Sequence, residues 1–109
     1  MTVFYGVKIE VDPDQEAAWN DWHTHKHMPA LLAQPGFVRA TKYRLDTMND
    51  GWPQYLTVYE VESREALDAY LNGEAVTRLR ADHYTHFGLS TRLSRLILTP
   101  TAAVDKPIG

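Results

Sequence analysis

Residues 3–11 and 55–61 read as β-strands with apolar side chains on both faces, and no other feature restricts the architecture of this chain as much. Val3, Tyr5, Val7, Ile9 and Val11 alternate with Phe4, Gly6, Lys8 and Glu10, a β-branched pattern of period two. Tyr55, Thr57, Tyr59 and Val61 alternate in the same way with Leu56, Val58 and Glu60. A sheet that holds both segments can be covered on one side by its own helices, but 109 residues leave no further layer for the other side. The chain is therefore expected to form a homodimer through sheet-to-sheet packing, burying at least a standard interface area.

The remaining segments supply the rest of that sheet and its helices. Asp12 is placed as an N-cap with Pro13 at the first helical position and Glu16 in the first turn, which starts a helix expected to run to about His27. Pro29 removes a backbone donor and predicts a kink or a fresh turn before Gln34-Pro35-Gly36 closes the segment. Phe37 to Leu45 reads as the second strand, and Asp46 to Pro53, with Asn49-Asp50-Gly51 inside it, as a polar connector that makes strands two and three a hairpin.

Ser63 is an N-cap for a helix carrying Leu67, Tyr70 and Leu71. Asn72-Gly73 interrupts that helix, and a second piece from about Glu74 to His86 puts Val76, Leu79 and His83 on one face. Gly88 ends it, and Arg92 to Leu98 is the fourth strand. The order β-α-β-β-α-β predicts an α+β, ferredoxin-like fold: an antiparallel four-stranded sheet with helices on one face. Residues 1–100 are expected to form this single domain. Residues 101–109 are expected to be a tail that is mobile or embraces a partner.

Charge and composition exclude several classes of function. The formal charge is −3 with acids and bases interspersed, so there is no basic stripe for nucleic acid and no polybasic segment for a membrane surface. The chain has no cysteine, which rules out disulfides, thiolate nucleophiles and Cys-based metal sites. Residues 1–8 lack the basic start and apolar run of a signal peptide, and a cytoplasmic location is expected. No phosphate loop, nucleophile elbow or nicotinamide fingerprint occurs, and Glu60 and Asp82 have no partner carboxylate for paired acid–base work. Aromatic residues make up 11% of the chain, enough for some to line a ligand pocket as well as the core.

Residues 19–37 carry most of the chemistry. Trp19, His23 and His27 recur at successive fours, while Trp22 and His25 lie three apart, so two helix faces each carry aromatic and imidazole groups that cannot all meet one pocket. His23 and His27 at i and i+4 have no carboxylate or cysteine at a fitting spacing, so no metal and no cofactor is assigned to them. Tyr5, Tyr55 and Tyr59 share side-chain parity on strands one and three, and Tyr43 on strand two joins them if the hairpin register allows. His83 and His86 close the second helical region, where capping of the helix dipole competes with a site role.

The segment resembles the signature of the dimeric α/β-barrel superfamily, particularly EthD-like and related small proteins. In that signature an aromatic residue precedes a His, followed by an apolar residue, Pro, a Leu-rich turn and Pro-Gly-Phe. Trp22, His27, Pro29, Leu31, Leu32, Pro35, Gly36 and Phe37 match it, and Ala40, Tyr43 and Arg44 continue it into the second strand. The likeness extends through the order of elements over residues 1–100. It implies the dimeric barrel fold but no single reaction, because the superfamily includes isomerases, cyclases, dehydratases, cofactorless oxygenases and haem enzymes.

The resemblance places His27 at the cleft between helices and sheet, where a neutral imidazole can take a proton from carbon or hydroxyl and return it elsewhere. The expectation is a cofactor-independent isomerase, lyase or cyclase acting on a small apolar or aromatic metabolite. His27, His83 and Tyr59 are its catalytic candidates, and Trp22, His23, Tyr5, Tyr43 and His86 its substrate contacts. The rival expectations are a haem- or oxygen-dependent monooxygenase-like barrel and a non-catalytic ligand-binding accessory of a catabolic pathway.

Overall fold

β1 (Val3–Val11) is the central element that both halves of the fold pair with. The computed structural model describes residues 1–47 and 50–108, so Asn49 of the expected turn lies outside the described residues. β1 pairs antiparallel with β3 (Gln54–Val61) on one side and with β4 (Thr91–Leu98) on the other, and β2 (Phe37–Leu45) pairs with β3. The resulting order, β2-β3-β1-β4, with helices between β1 and β2 and between β3 and β4, is the ferredoxin-like α+β arrangement.

Alternation divides the sheet cleanly. Val3, Tyr5, Ile9 and Val11 of β1 and Tyr55, Thr57, Tyr59 and Val61 of β3 are buried beneath the helices. They pack with Leu31, Leu67, Tyr70, Val76 and Leu79 in the larger core cluster and with Trp19 in a smaller one. Phe4, Leu56, Val58, Leu96 and Leu98 share the opposite face, where this chain supplies no second layer.

Local signals account for most boundaries. Asp12 caps a 3₁₀ turn (Pro13–Gln15) through its carboxylate, which accepts from Asp14 N–H at 2.9 Å. α1 (Glu16–Trp22) follows it. Ser63 Oγ accepts from Ala66 N–H at 3.1 Å and opens α3 (Arg64–Leu71), and α4 (Glu74–Phe87) begins after Gly73. Gly36, at φ 83°, turns the chain from the helices into β2, and a Cβ there would lie 2.5 Å from Ala66 Cβ.

The first helical region has the break expected at Pro29, but as a π-turn (His23–His27) that leads into α2 (Met28–Leu32) before Gln34-Pro35-Gly36. In an α-helix the Pro29 ring would press on the carbonyl of His25, four residues back. The wider turn, closed by Met28 N–H donating to the carbonyl of His23, takes up one extra residue and lets the helix continue. Residues 101–108 form no regular structure and are exposed.

Candidate active site

The π-turn places the aromatic side chains of the first helical region. With five residues between hydrogen-bonded partners, Trp22 and His27 come to one side, their rings stacked with centroids 5.3 Å apart, while His23 and His27 stay neighbours at 5.3 Å. From α4, His83 approaches both: its centroid is 5.4 Å from that of His27 and 6.4 Å from that of His23. Three imidazoles thus meet above the tyrosines of β1 and β3. Tyr5 and Tyr59 lie 6.1 Å apart, and Tyr70 of α3 lies 6.2 Å from Tyr5.

These groups line a cavity between helices and sheet whose free volume is about 20 Å³. That admits a hydroxyl, a carbonyl oxygen or a methyl group rather than a whole metabolite. An open groove of about 440 Å³ adjoins it between α4 and β4, and the two spaces share Arg80, His83, Leu93 and Arg95.

Hydrogen bonds set the protonation of two of the histidines. Trp19 Nε1–H donates to His83 Nε2 at 3.1 Å in the buried interior, so the His83 proton resides on Nδ1. The Lys42 ammonium, which has only protons to offer, lies 3.3 Å from His23 Nδ1 and 2.7 Å from Thr24 Oγ1, which leaves the His23 proton on Nε2. His27 Nδ1 is buried and, among the described residues, has no hydrogen-bond partner.

Burial disfavours the imidazolium form of all three. It lowers His23 to about 2, helped by Lys42, and lowers His83 to about 4, helped by the other cations around it. It also lowers His27 to about 4, Asp82 opposing the shift and Arg95 adding to it. Burial raises Tyr59 above the ordinary phenol range and Tyr70 to about 12, so both stay protonated donors. Desolvation lowers Lys42 to about 8, where it sits 4.8 Å over the Trp19 ring.

Of the residues singled out from sequence, the structure brings His23, His27, His83, Tyr5 and Tyr59 to the cavity wall. Trp22 stands behind that wall, sandwiched between His27 and His86. His86 itself is exposed, stacked on Trp22 at 4.8 Å and bonded through Nδ1–H to the Asp82 carbonyl at 2.8 Å, so it does not line the cavity.

Tyr43 lies on the opposite face of the sheet, paired with Leu56 and half exposed, and it cannot contact a substrate in this cavity. A bulge between Phe37 and Arg39 adds one residue to β2 and reverses the parity that Phe37 would otherwise pass on to Tyr43. Lys42 takes the inward position instead.

Sequence reasoning passed over Tyr70, Arg80 and Arg95. The available signals were Tyr70 at i+3 from the core residue Leu67, and an arginine at the inward parity of β4 between Leu93 and Ile97.

Trp19 joins the site to the second core cluster, and its replacement is informative. Trp19→Phe leaves His83 Nε2 buried without a donor, at a cost of roughly 2–3 kcal/mol and a fall in Tm on the order of 10 °C. Thermal unfolding followed by circular dichroism reads this directly, and an unchanged Tm would show that the Trp19–His83 bond contributes nothing.

No helix among the described residues is long and apolar enough to cross a membrane. No group of three or more His, Cys, Asp or Glu side chains among them has the arrangement to hold a metal ion.

Comparison with known proteins agrees with this geometry. The family described as a domain of unknown function (DUF4286) matches residues 2–100. No curated protein matches the chain. Among solved structures, an EthD family protein from Bacillus halodurans superposes with a TM-score of 0.70 at 16% identity, covering 93% of this chain and 100% of the other. A mutant of SnoaB, a cofactor-independent oxygenase from Streptomyces nogalater, gives 0.71 at 17% identity over 96% and 98%. The haem degrader MhuD from Mycobacterium tuberculosis, with two haems bound in its active site, gives 0.66 at 27% identity over 94% and 99%. These structures share the ferredoxin-like α+β fold of this chain.

Proposed function

This chain belongs to the DUF4286 family, and from that premise and the geometry of its cavity we propose that it is a cofactor-independent enzyme moving a proton on a small, largely apolar or aromatic metabolite. The observation that carries the reading is His27 Nδ1, a buried nitrogen without a protein partner, on a neutral imidazole facing a space sized for one reacting group. Of the other two imidazoles at the cavity wall, His83 Nε2 accepts from Trp19 and His23 Nδ1 from Lys42, so those nitrogens are already engaged.

In this reading the bulk of the substrate rests in the groove between α4 and β4, and only the reacting carbon or hydroxyl enters the cavity. His27 removes its proton. The phenols of Tyr59 and Tyr5, together with His83 Nδ1–H and His23 Nε2–H, provide donors for the oxyanion that develops. Trp22 backs His27 and holds its ring plane. Proton transfer between two atoms of one substrate is isomerisation, and loss of a β-hydroxyl after deprotonation is a lyase reaction. Turnover of candidate carbon acids by the parent and by His27→Gln tests the role. Tight binding without any conversion would assign the protein to ligand carriage instead.

A second reading is favoured by the likeness to SnoaB. A carbanion formed at His27 that reacted with molecular oxygen would make the same site an oxygenase, and oxygen consumption during turnover separates the two. Haem does not fit the site as it stands. The cavity that His27, His23 and His83 line encloses about 20 Å³, far too little for a porphyrin.

The open face of the sheet supports a homodimer. Phe4, Leu56, Val58, Leu96 and Leu98 form one apolar patch there, flanked by Lys8, Glu10 and Glu60, and a second copy of the same face is self-complementary about a two-fold axis. Val58→Asp puts an unpaired carboxylate at the middle of that contact. It is expected to weaken association at least about a hundredfold, turning a dimer into a monomer in sedimentation velocity without loss of secondary structure. A parent protein that sediments as a monomer at micromolar concentration overturns the dimer.

A further inference from the structure

We propose that the natural ligand of this site is an anion: a carboxylate carried on a small apolar ring, received by Arg80 and Arg95 at the junction of the cavity and the groove. The inference rests on the reading of the cavity as a substrate site and adds the charge and shape of what enters it.

The two guanidiniums border both the inner cavity and the outer groove. Both are exposed, and among the described residues neither forms an ion pair, nor do Arg78 and Arg92, whereas Arg39, Arg44 and Arg64 each have a carboxylate partner. Arg80 makes only a long bond, Nη2–H to Tyr5 Oη at 3.3 Å. No carboxylate lines either space. The nearest acid in sequence, Asp82, is exposed, with Oδ1 3.5 Å from His86 Nδ1, and its charge reaches His27 without closing on either arginine. The inner wall holds no carboxylate, and burial keeps the Tyr59 and Tyr70 phenols protonated.

Two unpaired cations beside a cavity without carboxylates form a site of positive potential. A guanidinium fork matches a carboxylate in both shape and charge. The groove beyond supplies the apolar wall for a ring, with Tyr84 well exposed and Leu93 about one-third exposed along it. An anionic ligand also fits chemistry that builds charge during proton removal, since the same guanidiniums would stabilise the enediolate left when a carbon next to the carboxylate loses its proton.

Benzoate and benzamide are close to isosteric and differ in charge, so calorimetric titration of the intact protein with each at pH 7.5 provides the test. Benzoate is expected to bind at least about tenfold more tightly than benzamide, and to weaken as salt is raised from about 0.05 to about 0.5 M. In the R80Q/R95Q double variant the preference is expected to fall below about threefold. Equal binding of the two probes by the parent, no detectable binding of either at millimolar concentration, or an undiminished preference in the double variant each overturns the proposal. The parent comparison decides the matter even if the double variant fails to fold.

His27→Gln separates this proposal from the assignment of the base. Retained benzoate preference together with retained turnover removes His27 from its role and leaves the anion site standing. Lost turnover with equal binding of acid and amide does the reverse.

Discussion

His27→Gln is expected to lower kcat by on the order of 10²–10⁴ on any substrate the protein converts, with a much smaller change in KM. Glutamine keeps a polar group of similar size against Trp22 and His23 but cannot accept a proton at neutral pH, so the loss reports the base and not the packing. The pH dependence sharpens the claim. The free protein holds His27 at about 4, chiefly by burial, so kcat/KM should stay level from pH 8 down to about 5.5. Below that it should fall as the imidazole takes up a proton and ceases to be a base. A Gln variant that retains more than about a third of the parent's turnover would remove His27 from the reaction.

Mild acid is expected to destabilise the folded chain severely. In the unfolded chain each imidazole titrates near pKa 6.5, whereas folding holds His23 at about 2 and His83 at about 4. Below pH 6.5 the unfolded state therefore binds protons that the folded state refuses, and stability drops by about 1.4 kcal/mol per pH unit for each histidine. Between pH 7.5 and 5 this amounts to about 2 kcal/mol each, or roughly 4 kcal/mol for the pair, and His27 adds to it in the same direction. A domain of this size has only about 5–15 kcal/mol in all.

The altered titration of Lys42 lies between about 8 and its ordinary value and does not enter that window. Urea midpoints at pH 7.5, 6 and 5 measure the effect, with an uptake of about two to three protons on unfolding at pH 5. Equal midpoints at all three pH values would mean that the histidines are solvated in the folded state.

The two expectations share one cause. The chain buries His23 and His83, with His27 half-buried beside them, where a core of this size would ordinarily hold aliphatic side chains, and the hydrogen bonds of His83 to Trp19 and of His23 to Lys42 are satisfied only in the neutral form. The arrangement that makes His27 available as a base at neutral pH also ties the fold to neutral pH. The gain in function and the loss of acid stability come from the same desolvation.

Features that depend on neighbours along the chain were legible in the residues. The alternation of β1 and β3, the caps at Asp12 and Ser63, the break at Asn72-Gly73 and the inward face of α4 each follow from side chains within a few positions of one another. Periodicity put His83 on one face with Val76 and Leu79 and gave Tyr5 and Tyr59 a shared parity, and the resemblance placed His27 at the cleft, but which of the first helix's imidazoles meet the cavity was left open by two helix faces that carry them alike.

Where the reading failed, a single inserted residue changed a periodicity. The π-turn before Pro29 swung Trp22 behind His27, and the bulge after Phe37 sent Tyr43 through to the far face and brought Lys42 in. His86 followed from neither. Its ring bonds to its own helix and stacks on Trp22, a contact set by how α4 packs on the first helical region.

Sequence alone determined that this chain forms a four-stranded sheet, greasy on both sides, with helices on one of them, because side-chain alternation and capping act over two to four residues. Only the tertiary structure decided which nitrogen of which histidine is left without a partner, and that Arg80 and Arg95, fifteen positions apart on a helix and an edge strand, border one opening. Those outcomes depend on hydrogen-bond partners and packing distances between elements remote in the chain, and no local pattern of residues records them.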